Sequence, residues 1–130
     1  VLALAAQRRW SVVAVVRRGS NRPLSEGVER VVEIDDLDDS TPWPTSAFRA
    51  VDAVIHLAAH VHQLKRADAA KSERFQAVNV GGTRRLAEAA AGHVGRFVFI
   101  SSAHACRSVS SEVLDESVIG RPDTPYGRSK

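Results

Sequence analysis

The chain has 130 residues, of which 44% are hydrophobic and 25% are charged, a composition typical of one globular domain. This balance excludes a disordered chain, a collagen-like repeat and a coiled coil. The longest apolar runs are strand-sized, so we predict no membrane span, and the first residues carry no secretory signal. The single cysteine, Cys106, cannot form an internal disulfide, which favours a reducing, cytoplasmic location.

The net charge is +3, and the arginines occur singly or in pairs rather than in one basic run. Proteins that bind nucleic acid usually concentrate positive charge on one face. We therefore predict a mixed, solvated surface and no nucleic-acid partner. A mild positive charge also suits a phosphorylated small molecule.

Hydrophobic patterns predict strands that alternate with helices. The predicted strands are Ser11–Val16, Arg30–Ile34, Val51–Ala59 and Arg96–Ile100. The predicted helices are an opening segment from Val1 to Arg9, Thr45–Arg49, a stretch from Ala67 to Asn79, Gly82–Ala91 and a last helix that begins at Pro125. The first strand is a continuous β-branched run, which is typical of a strand buried on both faces. This alternation predicts an α/β fold with a parallel sheet, whose ligands bind beyond the carboxyl ends of the strands.

The two ends of the chain predict a fragment cut from a longer protein. The sequence contains no methionine and opens on residues that read as a helix already under way. It stops at Lys130, where another helix has just begun.

Tyr126 and Lys130 form the strongest candidate for chemistry. Tyr126 is the only tyrosine, and residues four apart share one face of a helix. An ammonium group near a phenol stabilises the phenolate and lowers the pKa of the phenol, so the tyrosine can act as a general base or acid. Ser102 ends a predicted strand, where its hydroxyl could hold the same substrate oxygen. The alternative is an ordinary surface tyrosine and lysine.

The histidines predict no metal site. His56, His60 and His62 are close in sequence, but no cysteine or carboxylate lies between them, which favours structural or substrate-facing roles. Cys106 is interpreted as a packed thiol rather than a nucleophile. His104, close to Ser102, either touches substrate or fills space.

Four motifs occur in order along the chain. They are His56-Leu57-Ala58-Ala59, Asn79-Val80-Gly81-Gly82-Thr83, Phe97-Val98-Phe99-Ile100-Ser101-Ser102 and Pro125-Tyr126-Gly127-Arg128-Ser129-Lys130. Together they resemble the extended short-chain dehydrogenase/reductase family, in its NAD-dependent epimerase/dehydratase branch. The stretch from Val54 to Gln63 is most similar to UDP-glucose 4-epimerase-like members. The resemblance runs from Ser11 to Lys130 and implies a Rossmann-type doubly wound parallel sheet.

The resemblance implies a catalytic set of Ser102, Tyr126 and Lys130. It also implies a cofactor site beyond the strand ends. In that site Asp36 and Leu37 would hold the adenine, and the small-residue turn would let the dinucleotide lie close to the backbone. Asn79 would lie near the cofactor, and Lys130, beside Tyr126, would hold the nicotinamide ribose. The turn residues are Leu57, Ala58 and Ala59.

Two expected parts of such a protein are missing from the chain. The glycine-rich phosphate loop with its strand should precede the opening helix, and the substrate domain should follow Lys130. Residues 1–130 are therefore predicted to be a partial NAD(P)-binding Rossmann domain that is inactive by itself. Because the missing strand is central in the order 3-2-1-4-5, we predict two half-sheets and poor stability of the isolated chain. The half-sheets would pair Val12–Val16 with Arg30–Ile34, and Ala53–Leu57 with Phe97–Ile100.

Arg17 and Arg18 stand where NAD-preferring relatives place an acidic residue. Guanidinium groups suit a 2′-phosphate, which predicts NADP, whereas two solvated arginines would leave NAD. The cofactor is thus NAD or NADP.

The resemblance implies a nucleotide-sugar 4-epimerase-like enzyme in a cytoplasmic, homodimeric full-length parent. Ala103 and His104 stand where dehydratases carry an acidic pair, which argues against a dehydratase. Ala105-Cys106-Arg107 stands where epimerases often have Val-Tyr-Gly. The first alternative is a ketoreductase acting on a sugar or other small carbonyl compound. The second is a non-catalytic nucleotide-sensing module. The presence of the Tyr126–Lys130 pair argues against this second alternative.

Overall fold

A computed structural model describes residues 2–20, 27–38, 40–61, 69–111 and 113–130. The strands are β1 (Val12–Arg17), β2 (Val28–Ile34), β3 (Ala53–His56) and β4 (Arg96–Phe99). The α-helices are α1 (Leu2–Gln7), α2 (Ala69–Phe75), α3 (Thr83–Ala90) and α4 (Pro125–Ser129). Short 3-10 turns cover Thr45–Phe48 and Ala103–Ala105. Within these described ranges, no helix is long and apolar enough to span a membrane.

The strands form two separate pairs. β1 pairs with β2 and β3 pairs with β4, both in parallel. In the described part of the chain no ladder joins β1 to β3. The predicted half-sheets and their partners are therefore confirmed.

β1 differs from the predicted strand in burial. None of its residues is buried, and Val15 is 42% exposed. The prediction of a strand buried on both faces is wrong for this structure, because β2 is the main neighbour of β1 among the described residues. A β-branched run indicates that a segment forms a strand, but it does not indicate how many layers of structure cover that strand.

β3 ends earlier than predicted, at His56 rather than Ala59. The backbone of His60 bonds to the Asn79 side chain instead of continuing the ladder: the His60 N–H donates to Asn79 Oδ1 at 2.7 Å, and Asn79 Nδ2 donates to the His60 carbonyl at 3.0 Å. Residues 57–61 therefore form a loop fixed by a side chain.

The predicted break between two helices at Asn79–Gly82 does not occur. α2 continues through a π-helical segment, Gln76–Gly82, directly into α3. Gly82 has helical dihedrals, and a Cβ there would lie 3.0 Å from Leu37 Cγ and 3.2 Å from the Asp38 backbone nitrogen. This glycine therefore permits the close approach of the loop after β2 and does not end the helix. Of the predicted stretch that starts at Ala67, the first two residues lie outside the described residues.

A small apolar core positions β3 and β4. Its buried members are Ala47, Phe48, Leu86 and Ala90, and half-buried Val54 and Phe97 pack against them. The core joins the first 3-10 turn and α3 to one face of the β3–β4 pair. Burial of these side chains stabilises the half-sheet whose carboxyl edge carries the candidate site.

Candidate functional site

The candidate catalytic residues gather beyond the carboxyl end of β4. Ser102 lies in the segment that follows β4 and caps the 3-10 turn Ala103–Ala105. Its Oγ accepts a hydrogen bond from the His104 backbone N–H at 3.2 Å. β4 ends at Phe99, so Ser102 lies three residues beyond the strand rather than at its last position, and its catalytic role stays a prediction.

α4 begins with a strong local signal. Thr124 is the N-cap, its Oγ1 accepts from the Gly127 N–H at 3.0 Å, and Pro125 occupies the first turn. The helix packs on the turn after Ser102 so closely that a Cβ at Gly127 would overlap the His104 carbonyl oxygen. Gly127, which carried no role in the sequence analysis, therefore allows α4 to approach Ser102.

The Tyr126 ring is half-buried between two other rings. Its centroid lies 5.7 Å from that of Phe75 and 5.8 Å from that of His104, which meets it edge-on. These contacts define the orientation of the phenol. His104 therefore packs against the candidate acid/base, one of the two roles considered for it.

Lys130 reaches the end of β4 from α4. Its Nζ donates to the Ile100 carbonyl at 2.9 Å and lies 4.6 Å from the centroid of the Phe99 ring. The Ser101 hydroxyl donates to the Lys130 carbonyl at 2.9 Å. Removal of water from the ammonium group lowers the pKa of Lys130.

Asn79 links the loop after β3 to α4. It is buried, and its Nδ2 donates to Ser129 Oγ at 2.9 Å, in addition to its two bonds with the His60 backbone. Ser129 Oγ in turn donates to the Tyr126 carbonyl at 2.7 Å. The predicted cofactor neighbour thus also holds the helix that carries Tyr126. Ser129 was missed by the sequence analysis, because a lone serine between two cations carries no distinctive pattern.

His56 is a structural residue under the site. It is 4% exposed, its Nε2 lies 2.9 Å from Thr83 Oγ1, and its ring sits near Phe97 and Phe99. Burial, together with the nearby positive charge of Lys130, lowers the pKa of His56 to about 4. The ring is therefore neutral at neutral pH. His62 lies outside the described residues.

The predicted adenine pair occupies the loop after β2. The Leu37 N–H donates to Asp36 Oδ1 at 2.8 Å, and Arg74 from α2 binds Asp36 Oδ2. The hydrogen bond from Arg74 is the main reason that the pKa of Asp36 is lowered. Arg74 was not singled out from the sequence, since nothing local to α2 indicates its partner.

A cleft of about 330 Å³ opens beside this loop. Arg18 lines it and lies 3.1 Å from Asp35, with both side chains largely exposed at 66% and 80%. An exposed ion pair of this kind contributes at most about 1 kcal/mol, so Asp35 does not lock Arg18 in place. Arg17, the last residue of β1, is also exposed. The preference for NADP drawn from the two arginines stays a prediction.

The small-residue turn follows β3 at the same edge. Leu57 is 55% exposed, Ala58 is exposed and Ala59 is half-buried. The role of this turn in holding a dinucleotide stays a prediction.

Fold and site together define the class: an α/β protein with parallel strands whose candidate acid/base and dinucleotide-binding groups lie at the carboxyl ends of its strands. The chain belongs to the NAD dependent epimerase/dehydratase family, whose model matches residues 1–130. The resemblance stated from the motifs is confirmed.

Individual relatives agree with this assignment. A dTDP-glucose 4,6-dehydratase of Streptomyces niveus is 38% identical over 80 residues, which are 61% of this chain and 23% of the relative. A short-chain dehydrogenase/reductase superfamily protein from Agrobacterium tumefaciens, solved with bound NAD, is 34% identical with a TM-score of 0.71. It aligns over 98% of this chain and 37% of its own length.

A UDP-glucuronic acid 4-epimerase from Bacillus cereus, solved with NAD, shares the fold at 22% identity and a TM-score of 0.71. The alignment covers 98% of this chain and 43% of that one. The chain thus spans less than half the length of these three relatives. The Rossmann-type fold is confirmed, and so is the predicted cofactor class at the level of the family, whose description names NAD.

Proposed function

We propose that this chain is the dinucleotide-binding part of a longer, NAD(P)-dependent nucleotide-sugar 4-epimerase, which works as a cytoplasmic homodimer. The observation that carries the proposal is the docking of α4 on the turn after Ser102. That contact brings Ser102, Tyr126 and Lys130 to one strand end.

The domain organisation is part of the proposal. β1 and β3 each lack a partner on one side in the described residues, and an interposed parallel strand would satisfy both edges. We assign residues 1–130 to a partial Rossmann domain, completed by that strand with its glycine-rich loop and followed by a substrate domain. The greater length of the relatives supports this organisation.

The residues at the carboxyl edge fit a nicotinamide dinucleotide. Asp36 keeps acceptor lone pairs for an amino group, since a carboxylate has about four and two are in use. The exposed turn at Ala58 leaves room for the backbone of the dinucleotide. Lys130 supplies an ammonium group for the hydroxyls of the nicotinamide ribose. When bound, the nicotinamide supplies a reversible acceptor for hydride.

The chemistry assigned to this chain is proton transfer. Tyr126 removes the proton from the sugar hydroxyl as its carbon is oxidised, and it returns that proton after reduction from the opposite face of the sugar. Ser102 holds the same oxygen by a hydrogen bond.

The residues after Ser102 favour epimerisation over dehydration. Ala103 and His104, both exposed, occupy the positions at which dehydratases carry an acidic pair. Loss of water from a sugar needs both a base that removes a proton from the neighbouring carbon and an acid that protonates the leaving hydroxyl; Ala103 can supply neither, which leaves His104 alone in place of an acidic pair. For this reason the similarity to a dehydratase of Streptomyces niveus does not transfer that activity to this chain.

The experiment is a product analysis with the full-length protein. Purified enzyme is incubated with UDP- and dTDP-hexoses without added cofactor, and the sugars are separated by chromatography. The proposal predicts the C4 epimer, formed with dinucleotide that the protein retained during purification. Oxidation of the hexose to a keto-sugar only with added NADP, which is the ketoreductase step in reverse, would identify the ketoreductase instead. Absence of any turnover, with dinucleotide bound, would identify a sensing module.

A further inference from the structure

Arg74 connects the helix layer of one half-sheet to the ligand edge of the other. It lies in the last turn of α2, binds Asp36 Oδ2 and lies 3.9 Å from Asp38 Oδ2. Asp36 and Asp38 belong to the loop after β2, so the guanidinium group bridges elements that are far apart in sequence.

The carboxylate of Asp36 is oriented from both sides. The Leu37 N–H holds Oδ1 at 2.8 Å, while Arg74 holds Oδ2. The Thr41 hydroxyl donates to the Asp36 carbonyl at 2.6 Å, which fixes the backbone as well. The remaining lone pairs therefore face a defined direction.

The bridge is too exposed to act mainly on stability. The Arg74 and Asp36 side chains are 38% and 37% exposed, and ion pairs at such positions contribute little to folding. A planar guanidinium group that binds a carboxylate constrains its orientation more than a point charge does. The bridge therefore bears on where the acceptor lone pairs of Asp36 point.

We propose that Arg74 is a positioning residue for adenine recognition, which sets the Asp36 carboxylate to accept a hydrogen bond from the adenine amino group. This inference rests on the proposed function, since it takes Asp36 as a ligand of the dinucleotide. Arg74 itself does not touch the cofactor.

The test compares two dinucleotides that differ at the adenine amino group. The dissociation constants of NAD and of nicotinamide hypoxanthine dinucleotide, which has an oxygen in place of that group, are measured by equilibrium titration of the full-length protein. Wild-type protein is expected to prefer NAD. In Arg74→Gln the preference should fall about tenfold, because a hydrogen bond to a charged acceptor is weakened.

Two further variants make the result specific. Arg85→Gln removes the same charge from an exposed position of α3 and should keep the wild-type preference. Arg74→Lys retains the charge but not the planar fork, so its preference should lie between those of wild type and Arg74→Gln. If Arg74→Gln does not fold, the reduced preference expected of Arg74→Lys still tests the proposal.

Equal weakening of both dinucleotides in Arg74→Gln, or tighter binding of NAD, would overturn the positioning role while leaving the proposed function intact. If wild-type protein bound neither dinucleotide, the proposed function would fail and the inference with it.

Discussion

At the scale of the residue, the phenol of Tyr126 carries the proposed proton transfer. Its ring is held by Phe75 and His104, whereas Lys130 is held by β4. The Tyr126 ring and the Lys130 ammonium group therefore have separate supports. A change at the hydroxyl alone should leave both supports in place.

Tyr126→Phe removes only that hydroxyl. We expect turnover to fall at least about 100-fold, the lower range for loss of a general acid/base, with the dissociation constant of the dinucleotide nearly unchanged. Steady-state kinetics and a binding titration on the full-length protein check both parts. Near-normal turnover would show that another group moves the proton.

Arg17 and Arg18 offer a second change at this scale. If they accept the 2′-phosphate, replacing both with alanine should weaken NADP binding and leave NAD binding almost unchanged. Titration of the double variant with NAD and with NADP measures the two effects. Asp35→Asn removes the acidic partner of Arg18, so this variant should shift the preference towards NADP. Equal losses of affinity for NAD and NADP in the double variant would show that the two arginines do not bind the 2′-phosphate.

His56 makes stability depend on pH. Its pKa is about 4 when folded and 6.5 when unfolded, so the unfolded state binds more protons between these values. The free energy of unfolding should therefore fall by about 3 kcal/mol as the pH drops from 6.5 to 4. Urea denaturation at several pH values measures this slope. His56→Gln should flatten it, and an unchanged slope in that variant would assign the effect to other groups.

At the scale of the element, the strands were predictable and several contacts were not. β-branched runs indicate strands from local sequence, and the motif at Pro125 marks the start of α4. The predicted start of a separate helix at Gly82 was wrong, because Gly82 keeps helical dihedrals and its missing side chain leaves room for Leu37. Two contacts join residues that are remote in sequence: Arg74 with Asp36, and Asn79 with Ser129. No local sequence pattern predicts such contacts.

The docking of α4 depends on Gly127. In Gly127→Ala the new Cβ meets the His104 backbone, which cannot yield as a flexible side chain would. Overpacking of this kind costs about 1–3 kcal/mol, and moving Tyr126 away from Ser102 should lower kcat about 100-fold. Gly95→Ala is the matched control, since its Cβ would lie at an ordinary 3.6 Å from the Asp52 carbonyl oxygen. Thermal melts and kinetics that match in the two variants would contradict this role of Gly127.

At the scale of the whole molecule, the division of the described strands into two separate pairs is the central feature. The strand order of the fold class and the absence of a first strand from the sequence together predicted it, and the two separate pairs agree. Burial of β1 could not be predicted, because its covering layers depend on more than the strand itself. The poor dinucleotide binding expected of the isolated chain stays a prediction.

The most direct measurement follows a deuterium label at C4 of a nucleotide sugar through turnover by the full-length protein. If the hydride leaves C4 and returns to its opposite face, the C4 epimer formed without added cofactor should retain the deuterium, as read by mass spectrometry and NMR. Epimer that has exchanged the label for solvent hydrogen would contradict a hydride mechanism. A keto-sugar that accumulates only with added NADP, with the label transferred to the cofactor, would contradict epimerisation itself.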